Sequence, residues 1–497
     1  MTALYELLSS LPSSFEPSFA PRLNKLYLFL INHPGLNPKE AAAAYLGSVG
    51  RLKYFNKLRL ELKKALIRYL IANPSFSNNK DLTYYEDCYR DFAIYKILLL
   101  NGKRNAGIEL AKDLLPRLQK FELHGMIHIL ANDLMFHYSI ISVSKILAKK
   151  YARLAQIELE IVKSESLVRE YHSKIGAIRN TRESFTQSMI DEFIEAVEVT
   201  EPLLKMGIHH INRLIYTIIV SRYAIVYDYE NIIHYCKQAI ESFPDDHRNI
   251  RSLRFIFIYN MLPALLATGK LRKAKQFAKD ACGMTPKSSF NWHIILIKRI
   301  IICFHAGDYQ EAYDLYKAHQ KQKCTFPIVS EYWQIIRGYL CFLIQAGKVD
   351  AYTEERFQLG KFLNDMPIYS RDKAGNNINI LIIQILIRMQ RGQYGFIIDR
   401  IESLREYARK YMRNTETKRA NIFINMILRM EAAQFHRFRT EGKTRKLLEK
   451  LLETPLHLGQ NLAIEMIPYE LLWEEMLEML DNKFRGATIS KRPTSQA

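Results

Sequence analysis

Glycine and proline are scarce in this sequence. Its 497 residues include 20 glycines and 16 prolines, together about 7% of the chain, against roughly 12% in average proteins. An all-β sandwich or barrel needs frequent turns, and collagen-like or disordered chains are rich in these two residues, so all of these classes are excluded. The scarcity therefore predicts an all-α fold, and a hydrophobic fraction of 48% supplies a sizeable core.

Sequence patterns that carry covalent or metal chemistry are also lacking. The six cysteines are far apart and form no C-x-x-C pair, which excludes a zinc ribbon or a thioredoxin-like redox motif and predicts buried free thiols. Phosphate-binding glycine loops, the G-x-S-x-G nucleophile turn and H-E-x-x-H are missing as well. His124 and His128, one helical turn apart, have no third ligand at a useful spacing. We therefore predict a protein that is not an enzyme, with no cofactor and no bound metal.

Long uninterrupted apolar runs are absent too. The two most apolar segments are 255–266 and 294–304, and Lys298 and Arg299 interrupt the second. A helix needs about 20 apolar residues to cross a bilayer of ~30 Å, and the first residues lack the basic start of a secretion signal. The sequence thus predicts a cytoplasmic protein with no transmembrane segment.

A repeated unit is the main positive feature of the chain. A turn signal recurs every 38 to 45 residues, each time after an apolar helical run and before an amphipathic one. The turns are Tyr227–Glu230, Gly269–Arg272, Gly307–Gln310, Gly347–Asp350 and Gly392–Gly395, with a weaker sixth at Gly442–Thr444. Helix–turn–helix units at a fixed interval predict an α-solenoid, in which each hairpin buries its apolar face against its neighbours.

The residues that follow three of these turns resemble the second helix of the tetratricopeptide repeat (TPR). The matching positions are Ile232, Cys236, Ala239 and Pro244, then Ala274, Ala278, Ala281 and Pro286, then Ala312 and Tyr316. The resemblance is clearest over residues 213–327. It implies a right-handed superhelical array of antiparallel helix hairpins. Two departures are the absence of the family's Trp and Leu-Gly pair from the first helices, and units longer than the usual ~34 residues.

The pattern also predicts how the chain is divided. An N-terminal segment of three short helices precedes the hairpins, and a helical cap follows them. The expected segments are 1–80 (basic, helical), 81–202 (hairpins with one long helix), 203–412 (TPR-like array), 413–482 (C-terminal cap) and 483–497 (flexible basic tail).

The TPR resemblance implies a partner-binding groove formed by the first helices. Its inward-facing positions here are Thr217, Ser221, Tyr259, Ile297, Ile301, Phe304 and His305. An apolar and aromatic groove suits an amphipathic helix or an extended apolar peptide. The alternative is that these residues are core between longer helices. The function expected on this basis is a scaffold or adaptor that recognises a partner peptide or protein.

The charge of the chain supports a second hypothesis. Lys and Arg number 71 against 51 Asp and Glu, a net charge of +20, and the first 80 residues are especially basic. Their three short helices loosely resemble a helix-turn-helix module. This would place Arg51, Lys53, Lys57, Arg59 and Lys63 near phosphates. The chain would then be a nucleic-acid-binding regulator with a helical-repeat sensor domain; alternatively, the segment is a capping bundle with a basic outer face.

Overall fold

The computed structural model describes residues 1–9, 19–47, 51–72, 80–179, 186–243, 250–322, 324, 326–350, 376–411, 417–456 and 465–489. Within these residues the fold is all-α, with helices joined by turns and no strand, as predicted. The chain divides into two compact units, residues 1–166 and 167–497. The finer boundaries at 80, 202 and 412 remain predictions.

The helices of unit 1 form two hydrophobic clusters. They are α1 Thr2–Ser9, α2 Pro21–Asn32, α3 Pro38–Leu46, α4 Leu52–Ala72, α5 Lys80–Leu100, α6 Arg104–Lys120, α7 His124–Phe136 and the first part of α8 Lys145–Arg179. Helices α1 to α3 pack on α4, and α6 packs on α5 and α7. Asn37 caps α3 through the backbone N–H groups of Lys39 and Glu40, and the Glu40 carboxylate accepts from the Asn37 N–H, which fixes where this helix begins.

Unit 2 contains the end of α8 and the repeated hairpins. Its further helices are α9 Gln187–Thr200, α10 His209–Ile225, α11 Tyr229–Ser242, α12 Ile250–Ala267, α13 Leu271–Met284, α14 Phe290–His305, α15 Tyr309–Gln320, α16 Pro327–Gln345, α17 Asn376–Gln390, α18 Tyr394–Tyr411, α19 Lys418–Ala432, α20 Arg437–Glu453 and α21 Tyr469–Ile489. The first helices of successive pairs are α10, α12, α14, α16, α17 and α19; we call the surface that they form the first-helix face. Segment 351–375, where the second helix of the fourth pair is expected, lies outside the described residues.

Glycines lie at the turns that follow four of the first helices, as the sequence predicts. Gly269, Gly307, Gly347 and Gly392 have φ between 66° and 74°, a left-handed conformation that costs glycine little and closes the preceding helix. Each second helix from α11 to α15 packs on the first helices before and after it, and α14 also contacts the first helices α12 and α16. These contacts fit a helical array.

Small side chains lie where the helices of the hairpins approach closely. Ala274, Ala278 and Ala281 of α13 and Ala312 of α15 have no exposed surface. A larger side chain at such a position would force packed helices apart. Their burial confirms that the alanine pattern marks a packed helix surface.

One sequence prediction near the C-terminus, the turn at Gly442, is wrong. Gly442 lies inside α20, and the turn that precedes this helix is instead made by Gln434 and Phe435, whose φ values are 57° and 55°. The burial of Phe435 and Thr440 against the array holds the turn there although neither residue at it is a glycine. The tail expected at 483–497 starts within α21, which continues to Ile489; residues 490–497 lie outside the described part.

Candidate functional site

The basic residues predicted to contact nucleic acid lie along one helix of unit 1. Arg51 precedes α4, and Lys53, Lys57, Arg59 and Lys63 follow in it. The first three of the five are exposed and the last two are half-buried, while the opposite side of α4 is buried core. None of the five forms an ion pair within the described residues. The helix thus presents a basic outer surface, as both the nucleic-acid and the capping-bundle hypotheses require.

Three of the predicted groove residues are interior side chains. Ile297, Ile301 and Phe304 of α14 are buried, because this helix packs on α12, α13, α15 and α16. They are core between helices, which is the alternative given above for these positions. A partner could contact them only after the array had opened.

Three others, Thr217, Ser221 and Tyr259, lie beside a group of cationic side chains. Ser221 Oγ of α10 accepts a 2.6 Å hydrogen bond from Arg179 Nη1 at the end of α8 and donates to the Thr217 carbonyl one turn earlier. On the neighbouring first helices, Lys298 Nζ of α14 lies 4.1 Å from the centroid of the Tyr259 ring of α12. These contacts join α8 to α10 and α12 to α14.

We call this group the basic recess. Its members are Arg169, His172, Arg179, Arg213, Tyr259 and Lys298. Burial lowers the pKa of Lys298 to about 7, and it also lowers the pKa of Arg179 and of Arg213. Burial and then the positive charges of Arg213, Arg179 and Arg169 lower the pKa of His172. Each shift disfavours the charged form, because these side chains are poorly solvated.

The last predicted groove residue, His305, contacts the C-terminal part of the chain. Its Nε2 lies 2.8 Å from the Glu465 carbonyl oxygen. Two further contacts join the same part of the chain to other hairpins. Tyr229 Oη donates to the Leu456 carbonyl over 3.3 Å, and Lys348 Nζ pairs with Glu475 at 2.7 Å. The described residues near the end of the chain therefore contact the first, third and fourth hairpins.

The described residues 465–480, which we call the C-terminal cover, pack on the first-helix face. Tyr469 stacks on Phe423 of α19 with ring centroids 4.5 Å apart, and Trp473 meets the same ring edge-on. Both aromatic side chains are almost fully buried, and α21 also contacts α17. His305 and Lys298 are two helical turns apart on α14, so the cover and the basic recess share one surface.

A buried ion-pair cluster fixes the start of the cover. Arg419 of α19 donates from Nε and Nη2 to the two carboxylate oxygens of Glu465, each over 2.9 Å, and from Nη2 to Glu470 over 2.5 Å. Its Nη1 reaches the carbonyl oxygens of Leu451 and Thr454. Arg419 and Glu465 are both buried. The guanidinium group of Arg419 therefore pairs with a buried carboxylate and also donates to carbonyl oxygens at the C-terminal end of α20.

The histidines considered as half a zinc site have structural partners. His124 Nδ1 lies 2.7 Å from Glu158 Oε2, and both side chains are buried. His128 Nδ1 lies 2.9 Å from the Ala155 carbonyl oxygen. Among the described residues, no three His, Cys, Asp or Glu side chains converge as metal ligands.

The basic cluster that follows Gly269 is partly neutralised by neighbouring hairpins. Lys270 pairs with Glu230 at 2.5 Å, and Lys275 bridges Asp308 and Glu311 at 2.6 Å each. Part of the positive charge of the second helices therefore joins one hairpin to the next. This leaves less of the net charge for an external partner.

One described helix, Ile250–Ala267, is long and apolar enough to cross a membrane by length and composition alone. It is α12, the first helix of a repeat pair, and it packs on α11, α13 and α14. Such a core helix passes the same test as a membrane span.

Comparison with protein-family models and with curated proteins finds no match. What this surface does must therefore be argued from its own residues.

Proposed function

We propose that the protein is a non-enzymatic, cytoplasmic scaffold of TPR-like hairpins that binds a protein partner across its first-helix face. The observation that carries the proposal is the recurrence of left-handed turns and buried alanines from Tyr227 to Gly392. Stacked hairpins of this kind offer one long continuous surface made by successive first helices. A right-handed superhelix and a relationship to the TPR superfamily are part of the same proposal.

The C-terminal cover supports the choice of surface and indicates the chemistry of the partner. It places buried Tyr469 and Trp473 on the first-helix face, while Glu475 pairs with Lys348. The partner that fits best is thus an acidic amphipathic helix with aromatic anchors, bound beside the cover or in its place. The net charge of +20 favours the approach of such a partner.

Site-specific photo-cross-linking in cells tests the proposal. A photoreactive phenylalanine analogue is placed at Thr217, which is half-buried on α10, and in a matched variant at exposed Lys279 on the second helix α13. We expect one protein to be captured from position 217 and not from position 279. Capture only from position 279, or from neither position, would contradict binding at the first-helix face.

A second candidate function is nucleic-acid binding through α4. The observation that favours it is the exposed basic surface that begins at Arg51 and includes Lys53 and Lys57, none of which is ion-paired within the described part of the chain. Binding of the full chain to labelled duplex DNA and RNA, measured at several salt concentrations, should show an affinity that falls as salt rises. A triple Arg51→Gln, Lys53→Gln, Lys57→Gln variant should lose this binding. Equal binding by the variant would remove the candidate.

A further inference from the structure

One end of the helices of unit 1 exposes an apolar surface, which we call the apolar end. It lies where α7 passes into α8 and includes the last residue of α5. Its members are large apolar side chains, each 47% to 84% exposed within the described part of the chain: Leu100, Phe136, Ile140, Ile141, Val143 and Ile146. Single exposed apolar residues are ordinary on protein surfaces, whereas a group of this kind marks a place where a protein or a membrane binds.

Two turns of the chain form the apolar end together. After α7 the chain makes one π-helical turn, His137–Ile141, and a 2.8 Å hydrogen bond from the Ser144 N–H to the Tyr138 carbonyl oxygen then leads into α8. Arg104, the first residue of α6, lies with its Cζ 5.7 Å from the centroid of the Phe136 ring. The turn between α5 and α6 therefore lies beside the turn between α7 and α8.

The exposed side chains of the apolar end are additional to the core beneath them. Tyr138 of the same turn is buried and stacks on Tyr151 of α8, with ring centroids 5.8 Å apart. Side chains that line a groove are partly covered by its walls. Leu100, Val143 and Ile146 are 70% to 84% exposed, so they stand out from the surface instead. Such a surface is suited to entering an apolar phase.

The charged residues beside the apolar end are basic. They are Lys103, Arg104, Lys145, Lys149 and Lys150, all of them exposed. The two segments that form this end, residues 97–108 and 134–157, contain no Asp or Glu. The carboxylate just before the second segment, Asp133, is already bound, because it accepts from Lys96 Nζ over 2.9 Å and from the Tyr95 hydroxyl. Positive charge therefore accompanies the apolar side chains without an acidic residue to oppose it.

We propose that the apolar end binds the surface of a membrane that contains anionic phospholipids. The protruding aliphatic side chains would enter the boundary between headgroups and acyl chains, while the flanking lysines remain among the anionic headgroups. Ile146 lies on the same face of α8 as Lys149 and Lys150, three and four residues on, so one helix face supplies both contacts. A membrane matches this surface better than a protein groove does, because the side chains protrude and the charge is of one sign.

This inference does not depend on the protein partner proposed above. It concerns residues 97–150 of unit 1 and not the first-helix face. It would stand if the scaffold function failed.

Co-sedimentation of the full chain with lipid vesicles tests the proposal. One set of vesicles is pure phosphatidylcholine, and the other contains about one third phosphatidylserine. We expect binding to the second set, with affinity at least tenfold lower in the double variant Val143→Ser, Ile146→Ser, because less apolar surface leaves water. The matched variant is Phe438→Ser, Leu452→Ser. It removes two apolar side chains that are 76% and 63% exposed on another basic helix, α20, and should bind within twofold of the unmodified chain.

A second double variant, Lys145→Gln, Lys149→Gln, tests the charge. It should weaken binding at least fivefold, and most at low salt. All the replaced side chains are exposed, so the variants should keep the fold, which far-ultraviolet circular dichroism checks. Equal binding of the unmodified chain to both sets of vesicles would contradict the part given to the cations.

The remaining outcomes would overturn the proposal. One is that neither set of vesicles binds the chain, and another is that Val143→Ser, Ile146→Ser binds as tightly as the unmodified chain. Sedimentation velocity identifies a different occupant. A dimer that forms without vesicle binding and is lost in this variant would assign the apolar end to a second copy of the chain.

Discussion

Replacing Lys298 by methionine should make the protein more stable. Methionine keeps the length of the side chain and fills irregular apolar space well, so it can follow the same path between α12 and α14. Burial lowers the pKa of Lys298 from 10.5 to about 7, a displacement that corresponds to at most about 5 kcal/mol of cost for burying the charged form. Because the substitution also removes the contact with the Tyr259 ring, worth about 1–2 kcal/mol, we expect a net gain of at most about 3 kcal/mol. In a unit of residues 167–497 that gain raises Tm by at most about 4 °C.

The pH dependence of stability provides a sharper form of the same prediction. Since the pKa of Lys298 is lower in the folded chain than in the unfolded chain, the unfolded chain binds more protons between pH 7 and the ordinary lysine value. The free energy of unfolding therefore rises with pH across that window. Burial is the only cause of the shift, and the neighbouring group in contact is the neutral Tyr259 ring, whose own pKa burial raises. The rise should disappear in Lys298→Met.

Urea unfolding at pH 6.5, 8 and 9.5, followed by far-ultraviolet circular dichroism, measures both effects. Lys317→Met is the control and should leave the free energy of unfolding within about 0.5 kcal/mol of the unmodified protein at each pH. The reasoning would be refuted if Lys298→Met lowered stability by 1 kcal/mol or more, or if it kept the same dependence on pH as the unmodified chain.

Three further substitutions and one control substitution test the array by urea unfolding. Ala312→Leu should destabilise by about 1–3 kcal/mol, because it overfills a contact between packed helices; an unchanged unfolding midpoint would contradict the packing described. Arg419→Met should cost about 3–5 kcal/mol by leaving a buried carboxylate without its partner, whereas Arg445→Met, at an exposed pair, should stay within about 0.5 kcal/mol; equal losses would refute the role of the buried pair. Burial lowers the pKa of His319 to about 4, so stability should fall as pH drops from 6.5 towards 4, and His319→Phe should remove about 1–2 kcal/mol of that fall; a fall of the same size in the variant would argue against it.

The sequence was sufficient where local chemistry decides the structure. A glycine after an apolar helical run ends the helix because it alone takes positive φ at little cost, and Gly269, Gly307, Gly347 and Gly392 all do so. Spaced alanines likewise mark a surface that another helix approaches closely. At Gln434 and Phe435 the same backbone conformation occurs without glycine, since packing holds it there, and no sequence rule signals that position.

The recess could not be predicted because its members are far apart along the chain. Arg179 and Ser221 are 42 residues apart, and Lys298 comes from a third part of the sequence. Lys298 did give a signal, as a charge within an apolar run. A lysine within an apolar run argues against a membrane span, and in a core helix it also indicates a buried charge.

The position of the C-terminal cover could not be predicted from the sequence either. Tyr229 and Leu456 are in contact although 227 residues separate them, and periodicity carries no information at that range. Of the two interpretations given for the predicted groove positions, core between helices holds for Ile297, Ile301 and Phe304, which are buried. Two other predicted groove residues, Ser221 and Tyr259, contact Arg179 and Lys298 of the basic recess.

Hydrogen–deuterium exchange of the full chain, with and without the protein captured from position 217, tests the central claim most directly. If the partner binds across the first-helix face, amide exchange should slow in α10, α12 and α14 by at least threefold and remain unchanged in the second helices α13 and α15. Slowing confined to α4 would likewise contradict binding at the first-helix face. Slowing in α13 and α15 without any in α10, α12 or α14 would contradict binding at the first-helix face.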